Sequence, residues 1–178
     1  MIKTTNKILG IDPGLRVTGY GVIFNSSGSI RYEASGIIKT TNVNTNLASR
    51  IKIILLGLEE VIEQFKPDCV SIEKVFVNTN PQSTLLLGQA RGAAISAAVM
   101  KNLDVYEYTA LQVKKSVVGM GHASKSQVQI MVQKLLGLPS IPSPDSADAL
   151  ACSICHANIS GSIAKFGTGN RMKSGRII

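Results

Sequence analysis

Lys7-Ile-Leu-Gly-Ile-Asp12-Pro-Gly14 is a short apolar run that stops at a turn pair, and the fold is read outward from it. Such a run, bounded by Pro-Gly, reads as a buried strand leading into a turn, with an acid at the strand's end. Thr18-Gly-Tyr-Gly-Val-Ile-Phe24 follows as a second strand, Asn25-Ser-Ser-Gly28 as a turn and Ile30 to Lys39 as a third strand. Strands joined by such tight turns form an antiparallel meander.

Leu47, Ile51, Ile54, Leu55, Leu58, Ile62 and Phe65 then recur at helical spacing, with charged residues between them. Lys66-Pro67-Asp68 breaks this helix, and Cys69-Val-Ser-Ile-Glu73 predicts a fourth strand. A polar loop covers residues 74–80, Pro81 opens a helix through Val99, and Val105-Tyr-Glu-Tyr108 is a short fifth strand. Further helices are expected over Ala110 to Val118, from a Ser124/Gln127 capping box to Leu136, and from Ser143-Pro144 onward. The pattern predicts one α/β domain over residues 1–160, a mixed five-stranded sheet flanked by helices. Residues 161–178 turn small, polar and basic, and read as a flexible C-terminal tail.

A chain of 178 residues suits one domain, and 44% hydrophobic residues with 17% charged excludes a disordered chain. With no apolar stretch of membrane-spanning length and no charged-then-apolar leader, the expectation is a protein neither spanning a membrane nor exported. Three widely spaced cysteines, an odd number, fit reduced thiols in a cytoplasm. The net charge of +8 favours a polyanionic partner, most often nucleic acid, over a merely solvated surface. In so basic a chain, acids at strand ends or inside apolar helices need a reason to be there.

Four acids meet that description. Asp12 and Glu73 end strands, and ligands of α/β sheets gather at strand ends. Taken singly, each also reads as an ordinary turn or strand-terminus residue. Asp145 and Asp148 lie three apart on the last helix and project from one face. Asp145 also complements the helix dipole, whereas Asp148 sits in the apolar Ser-Ala-Asp-Ala-Leu-Ala-Cys, where an unpaired carboxylate is costly. Oxygen-rich clusters suit hard cations such as Mg²⁺ or Mn²⁺, and two such ions can clamp a phosphoryl transfer. A basic surface around an acidic pocket therefore points to metal-dependent chemistry on nucleic acid phosphates.

Six motifs carry a resemblance. Ile-Leu-Gly-Ile-Asp12-Pro-Gly, Ile-Glu73-Lys-Val-Phe76, Leu-Gly-Gln-Ala-Arg91-Gly, Gln-Val-Lys114, Lys125-Ser-Gln-Val-Gln and Asp145-Ser-Ala-Asp148-Ala-Leu-Ala occur in this order. Together they resemble the RuvC-type Holliday-junction resolvases, co-linearly from about residue 7 to about residue 157. The resemblance implies a ribonuclease-H-like fold, a homodimer and Mg²⁺-dependent symmetric nicking of four-way DNA junctions in recombination and repair. It also implies a branch-migration helicase as partner. Asp12, Glu73, Asp145 and Asp148 match the family's catalytic and metal-binding acids, although some members carry His where Asp145 stands. An aromatic residue at Phe76 and lysines at Lys114 and Lys125 match as well.

Phe76 is then expected to stack on an unpaired base, where the plainer reading is a loop anchor. Lys114 and Lys125 are expected on phosphates, with Arg16 and Arg91 as weaker candidates for DNA contact. Cys152-Ser-Ile-Cys155-His156 matches a haem-attachment pattern, but it lies within the helix of the acids and reads as buried thiols. Zinc on the same residues lacks a fourth ligand. Gly119-Met-Gly121 lacks the strand–turn–helix context of a dinucleotide fingerprint.

Two other functions fit parts of the sequence. Gly10-Ile-Asp12-Pro-Gly14 before a hairpin also suits an actin-like or sugar-kinase-like phosphotransferase, which needs two such domains to enclose ATP. A junction-binding architectural protein without chemistry would not need all four acids. Paired cuts call for a two-fold dimer, and the small residues of the helix from Pro81 to Met100 make it the candidate interface.

Overall fold

The computed structural model describes residues 5–26, 29–41, 46–75 and 80–167, with side chains from residue 7 to residue 161. In chain order its elements are β1 (Thr5–Asp12), β2 (Val17–Ser26), β3 (Ser29–Lys39), α1 (Leu47–Phe65), β4 (Cys69–Glu73), α2 (Pro81–Met100), β5 (Asp104–Tyr108), α3 (Ala110–Val118), α4 (Lys125–Leu136) and α5 (Pro144–Gly167). The five strands form one sheet in the order β3-β2-β1-β4-β5. β1, β2 and β3 pair antiparallel, and β4 and β5 join the β1 side in parallel. The short turn expected around Pro13-Gly14 joins β1 to β2; of the turn expected at Asn25–Gly28, Asn25 and Ser26 belong to β2 and residues 27–28 lie outside the described residues. The later strands return through helices, as parallel pairing requires.

The central strands are covered on both faces. Leu9, Ile11, Val70 and Ile72 pack with Ile54 and Leu58 of α1 and Ala94 and Ala97 of α2. Ile8 and Cys69 face the other way, into a core of Val113, Val117, Val128, Val132, Leu150 and Ile154 from α3, α4 and α5. Alternation at period two separates these sets, so β1 and β4 read as continuous apolar runs while serving two cores. Each fully buried Leu or Ile contributes about 2 kcal/mol of transfer free energy.

Local signals act where they are written. Ser124 and Gln127 form the capping box of α4, and Thr109 with Gln112 forms a second one on α3 that was not anticipated. Ser143 begins α5, its hydroxyl accepting from the Ser146 amide at 3.4 Å. That helix continues to Gly167, beyond the Gly161 boundary assigned to the tail, and residues 168–178 lie outside the described residues. No Pro lies between Gly161 and Gly167, so nothing in the chain stops the helix there. Among the described residues no helix is long and apolar enough to cross a membrane.

Two glycines bring α5 onto the sheet. A β-carbon at Gly10 of β1 would overlap the Ala149 carbonyl, and one at Gly19 of β2 would overlap the Asp145 carbonyl. The helix backbone therefore lies directly on the strands. Ser71 of β4 ties it down further, its buried hydroxyl donating to the Cys152 carbonyl at 2.7 Å.

Candidate active site

Asp12 and Glu73 end adjacent parallel strands, one residue past the Ile11–Ile72 pairing. Ile11 and Ile72 point to the α1/α2 side. Period two then turns Asp12 and Glu73 to the opposite face, the one on which α5 lies. Asp148 comes from α5 one residue before Ala149, whose carbonyl rests over Gly10. Three carboxylates from three elements thus line one cavity of about 230 Å³. Ala110, Val113 and Lys114 of α3 and Lys125 and Val128 of α4 complete its walls.

This crowding is visible in the acids' proton affinities. Burial, and then the charges of Asp148, Glu73 and Asp145, push the Asp12 carboxyl up to about 7 from its ordinary 3.8. Burial and Asp148 also raise Glu73, while Lys114 and Lys125 pull it back. Asp148 is raised by burial, and Lys125 opposes the shift. The Lys125 ammonium stands 3.7 Å from Asp148 Oδ2 and remains largely exposed, so it offsets this repulsion only in part. Clustered carboxylates in a half-buried cavity bind protons or cations in place of remaining ionised together.

The donor set suits a hard divalent cation, being all carboxylate oxygen. The acids share the cavity without being drawn into a finished coordination shell. Among the described residues no group of three or more His, Cys, Asp or Glu stands close enough for that. The mutual repulsion registered at Asp12 is what an added cation would relieve.

The other residues singled out from sequence divide into three groups. Asp145 lies one turn before Asp148, close enough for its charge to raise both Asp12 and Asp148. It lines a different, larger cleft together with Arg16. Lys114 and Lys125 line the acidic cavity itself. Arg91 points elsewhere, its Nε donating to the Glu73 carbonyl at 3.1 Å and its terminal nitrogen standing 2.8 Å from Glu107 Oε1. Glu107, its ion-pair partner, lies on a strand whose place in the sheet no local pattern reveals. Phe76 lies outside the described residues.

Sequence reasoning missed the groups that hold the site in shape. Thr40 donates from Oγ1 to the Leu15 carbonyl at 2.6 Å, and Thr18 donates to the Gly14 carbonyl at 2.8 Å. Both threonines are buried, so the turn after Asp12 is held from two sides. Single threonines in or near strands carry no signal that would have disclosed this. The Cys152–His156 stretch is buried inside α5, with His156 Nδ1 2.8 Å from the Tyr108 hydroxyl.

Comparison with known proteins identifies the family. The family model described as crossover junction endodeoxyribonuclease RuvC matches residues 8–156. A RuvC of Methylobacillus flagellatus is 60% identical, covering 98% of this chain and 99% of that protein. One from Azoarcus sp. is 58% identical over 97% of this chain and 93% of its own length. Among solved structures, Thermus thermophilus RuvC in complex with Holliday junction substrate superposes with a TM-score of 0.81 at 32% identity, covering 88% of this chain and 96% of that one. The yeast mitochondrial Holliday junction resolvase Ydc2, at 10% identity and a TM-score of 0.67 over 94% of this chain and 86% of that one, shares the fold. With its acids on the ends of β1 and β4 and on α5, the chain belongs to the RuvC family of crossover junction endodeoxyribonucleases.

Proposed function

We propose that this chain is a structure-selective DNA endonuclease that resolves four-way (Holliday) junctions by paired nicks, with Mg²⁺ as its working ion. The observation that carries the reading is the convergence of Asp12, Glu73 and Asp148, from separate elements, on a cavity flanked by Lys114 and Lys125. Nucleases of the family depend on a divalent metal. Asp12, Glu73 and Asp148, with Asp145 beside them, are the residues that would hold it. When bound, two such ions would neutralise the phosphate and activate water for an in-line displacement, and Mn²⁺ could substitute.

The chain's own residues do the rest. Lys114 and Lys125 draw a phosphodiester to the rim of a cavity whose carboxylates would otherwise repel it. The buried backs of Asp12 and Asp148 keep bulk water from screening these charges. Arg91 holds the end of β4 through the Glu73 carbonyl, and so positions Glu73 without touching DNA. Hydrolysis breaks one P–O bond, water supplying hydroxide to phosphorus and a proton to the departing oxygen. Arg16 adds a contact beside the cavity, and Phe76 stacks on a base at the branch point.

Two nicks need two sites, which points to a homodimer. In α2 the alanines at 90, 93, 94, 97 and 98 are buried against the sheet. Leu85, Val99 and Met100 are exposed, and nothing stands within 4 Å of the places where Gly88 and Gly92 would carry side chains. A small-residue face bordered by apolar side chains suits close helix contact with a second copy. A branch-migration helicase as further partner, and action in the cytoplasm, belong to the same proposal.

A synthetic four-way junction with labelled arms tests the reading. Mg²⁺ should yield symmetric nicks, and Ca²⁺ should support binding with little cleavage, because the smaller ion's octahedral demands set the reacting geometry. Equal cutting of linear duplex and junction, or cutting by Asp12→Asn at the wild-type rate, would overturn it.

A further inference from the structure

We propose that the buried pair Tyr108 and His156 positions Asp148 and Glu73 against each other, by fixing how α5 is rolled on β5, so that the two carboxylates share one cation. This role rests on the metal-nuclease reading of the acidic cavity and adds what holds its acids in register. Neither residue lines the cavity, so both are positioning residues and not catalytic ones.

Asp148, Cys152 and His156 follow one another at four-residue steps and share one side of α5. At the first step the helix presents a carboxylate to the cavity. At the second its backbone is held, the Ser71 hydroxyl donating to the Cys152 carbonyl at 2.7 Å. At the third a side chain takes hold. His156 Nδ1 stands 2.8 Å from the Tyr108 hydroxyl, and the Tyr106 ring stacks on the imidazole with centroids 4.2 Å apart. Tyr108 is the cross-strand partner of Glu73, and the Lys74 amide donates to its carbonyl at 2.7 Å. One side-chain contact therefore joins the helix that carries Asp148 to the strand position beside Glu73.

The chemistry of the pair is out of keeping with mere filling. His156 is 5% exposed and Tyr108 8%, beside a core of Ile, Val, Leu, Ala and Cys. Two polar groups cost free energy to bury, and apolar side chains of similar size fill space without that cost. What a polar pair adds is direction, since a hydrogen bond fixes distance and angle where apolar contact permits sliding. Burial lowers the proton affinity of His156 and pushes the Tyr108 hydroxyl up to about 12, so the contact is a neutral one.

Roll matters because of leverage. A side-chain tip lies ~5–6 Å from the helix axis, so a roll of about 10° carries it by about 1 Å. Metal ligands tolerate only about 0.2 Å. The backbone contacts over Gly10 and Gly19 set how near α5 lies to the sheet. His156, about two turns from Asp148, resists rotation at the radius of the side chains, where a small force acts furthest from the axis.

The test follows Mn²⁺ binding to the full chain by calorimetry without DNA, and then nicking of a labelled four-way junction over a series of Mg²⁺ concentrations. Tyr108→Phe keeps the ring and removes the hydroxyl. It should weaken Mn²⁺ binding about tenfold and move half-maximal nicking to higher Mg²⁺ by a similar factor, with junction affinity in EDTA unchanged. His156→Asn places an amide where Nδ1 stands and should retain most of the wild-type response, whereas His156→Ala should lose it. Adding Tyr108→Phe to His156→Ala should cost nothing more, because the two act through one bond. Should His156→Ala fail to fold, Tyr108→Phe decides alone. A Tyr108→Phe protein that melts lower yet binds Mn²⁺ and responds to Mg²⁺ as wild type does would reduce the pair to core packing, while the nuclease reading stands. Independent losses that multiply in the double variant would overturn the pairing too. If wild-type protein binds Mn²⁺ but nicks no junction, the nuclease reading falls, and the change of Mn²⁺ affinity in Tyr108→Phe still upholds or overturns the positioning.

Discussion

Arg91, rooted in α2, donates from Nε to the carbonyl of Glu73 at 3.1 Å while its terminal nitrogen meets Glu107 of β5 at 2.8 Å. One guanidinium thus ties a helix to two strands at the point where a candidate catalytic acid leaves the sheet. Arg91→Ala should lower the thermal midpoint modestly, by the equivalent of about 1 kcal/mol, because Glu107 is partly solvated. The nicking rate should fall more than junction affinity, since Glu73 loses its support and no phosphate contact is removed. A fall in affinity matching that in rate would return Arg91 to the DNA surface. Gel-shift titration and single-turnover nicking separate the outcomes.

Charge in the acidic cavity makes a prediction about stability. With the carboxyl of Asp12 raised to about 7 in the fold, its proton is bound more tightly there than in the unfolded chain. Its contribution is therefore most favourable below the ordinary carboxyl range and worsens as pH climbs from about 4 to about 7. Asp12→Asn should consequently be more stable than the metal-free wild type at pH 8, by about 2–4 kcal/mol, and the gap should shrink by about half or more at pH 5. Calorimetry of both proteins at the two pH values checks the sign.

The same repulsion sets how divalent ions act on the fold. Adding Mg²⁺ at pH 8 should raise the thermal midpoint of wild-type protein, and at pH 5, with Asp12 protonated, the gain should shrink. Asp12→Asn should gain less than wild type at pH 8. An equal gain in both proteins would place the ion elsewhere.

Gly10 is the contact on which Asp148 depends. Gly10→Ala must push the Ala149 carbonyl away, at a cost of about 1–3 kcal/mol or more, because backbone on both sides cannot give as a side chain can. Nicking should drop with it, as Asp148 moves with α5 relative to Asp12. A variant with a lowered midpoint but undiminished nicking would show that the acids tolerate that displacement.

Lys114→Ala and Lys125→Ala remove cations that flank the cavity. Each should flatten the dependence of log affinity on log salt by roughly 0.9, the signature of one lost phosphate contact. Lys125→Ala should also raise the Asp148 carboxyl further, because the ammonium at 3.7 Å opposes its protonation. A salt slope unchanged in both variants would leave these lysines as solvated helix charges.

Much of the architecture was legible because its signals are local. The apolar run at Lys7–Asp12, the helical spacing from Leu47 to Phe65 and the capping box at Ser124 all act over a few residues, and each element forms where they predict it. The far end of α5 is less legible, because no Pro within residues 161–167 marks where the helix ends.

The acids were legible as a set, although their division was not. Alternation alone turns Asp12 and Glu73 to one face of the sheet, and helical spacing alone aligns Asp145 with Asp148. Only the tertiary structure decides that Asp148 joins the strand acids in one cavity while Asp145 borders a second cleft with Arg16. It alone turns Arg91 inward to Glu73 and Glu107. The sequence by itself determined which residues carry charge and which face of its own element each occupies. The crossing of α5 over Gly10 and Gly19 decided which of those faces meet, because contacts between residues more than a hundred positions apart are chosen by packing, which no local pattern encodes.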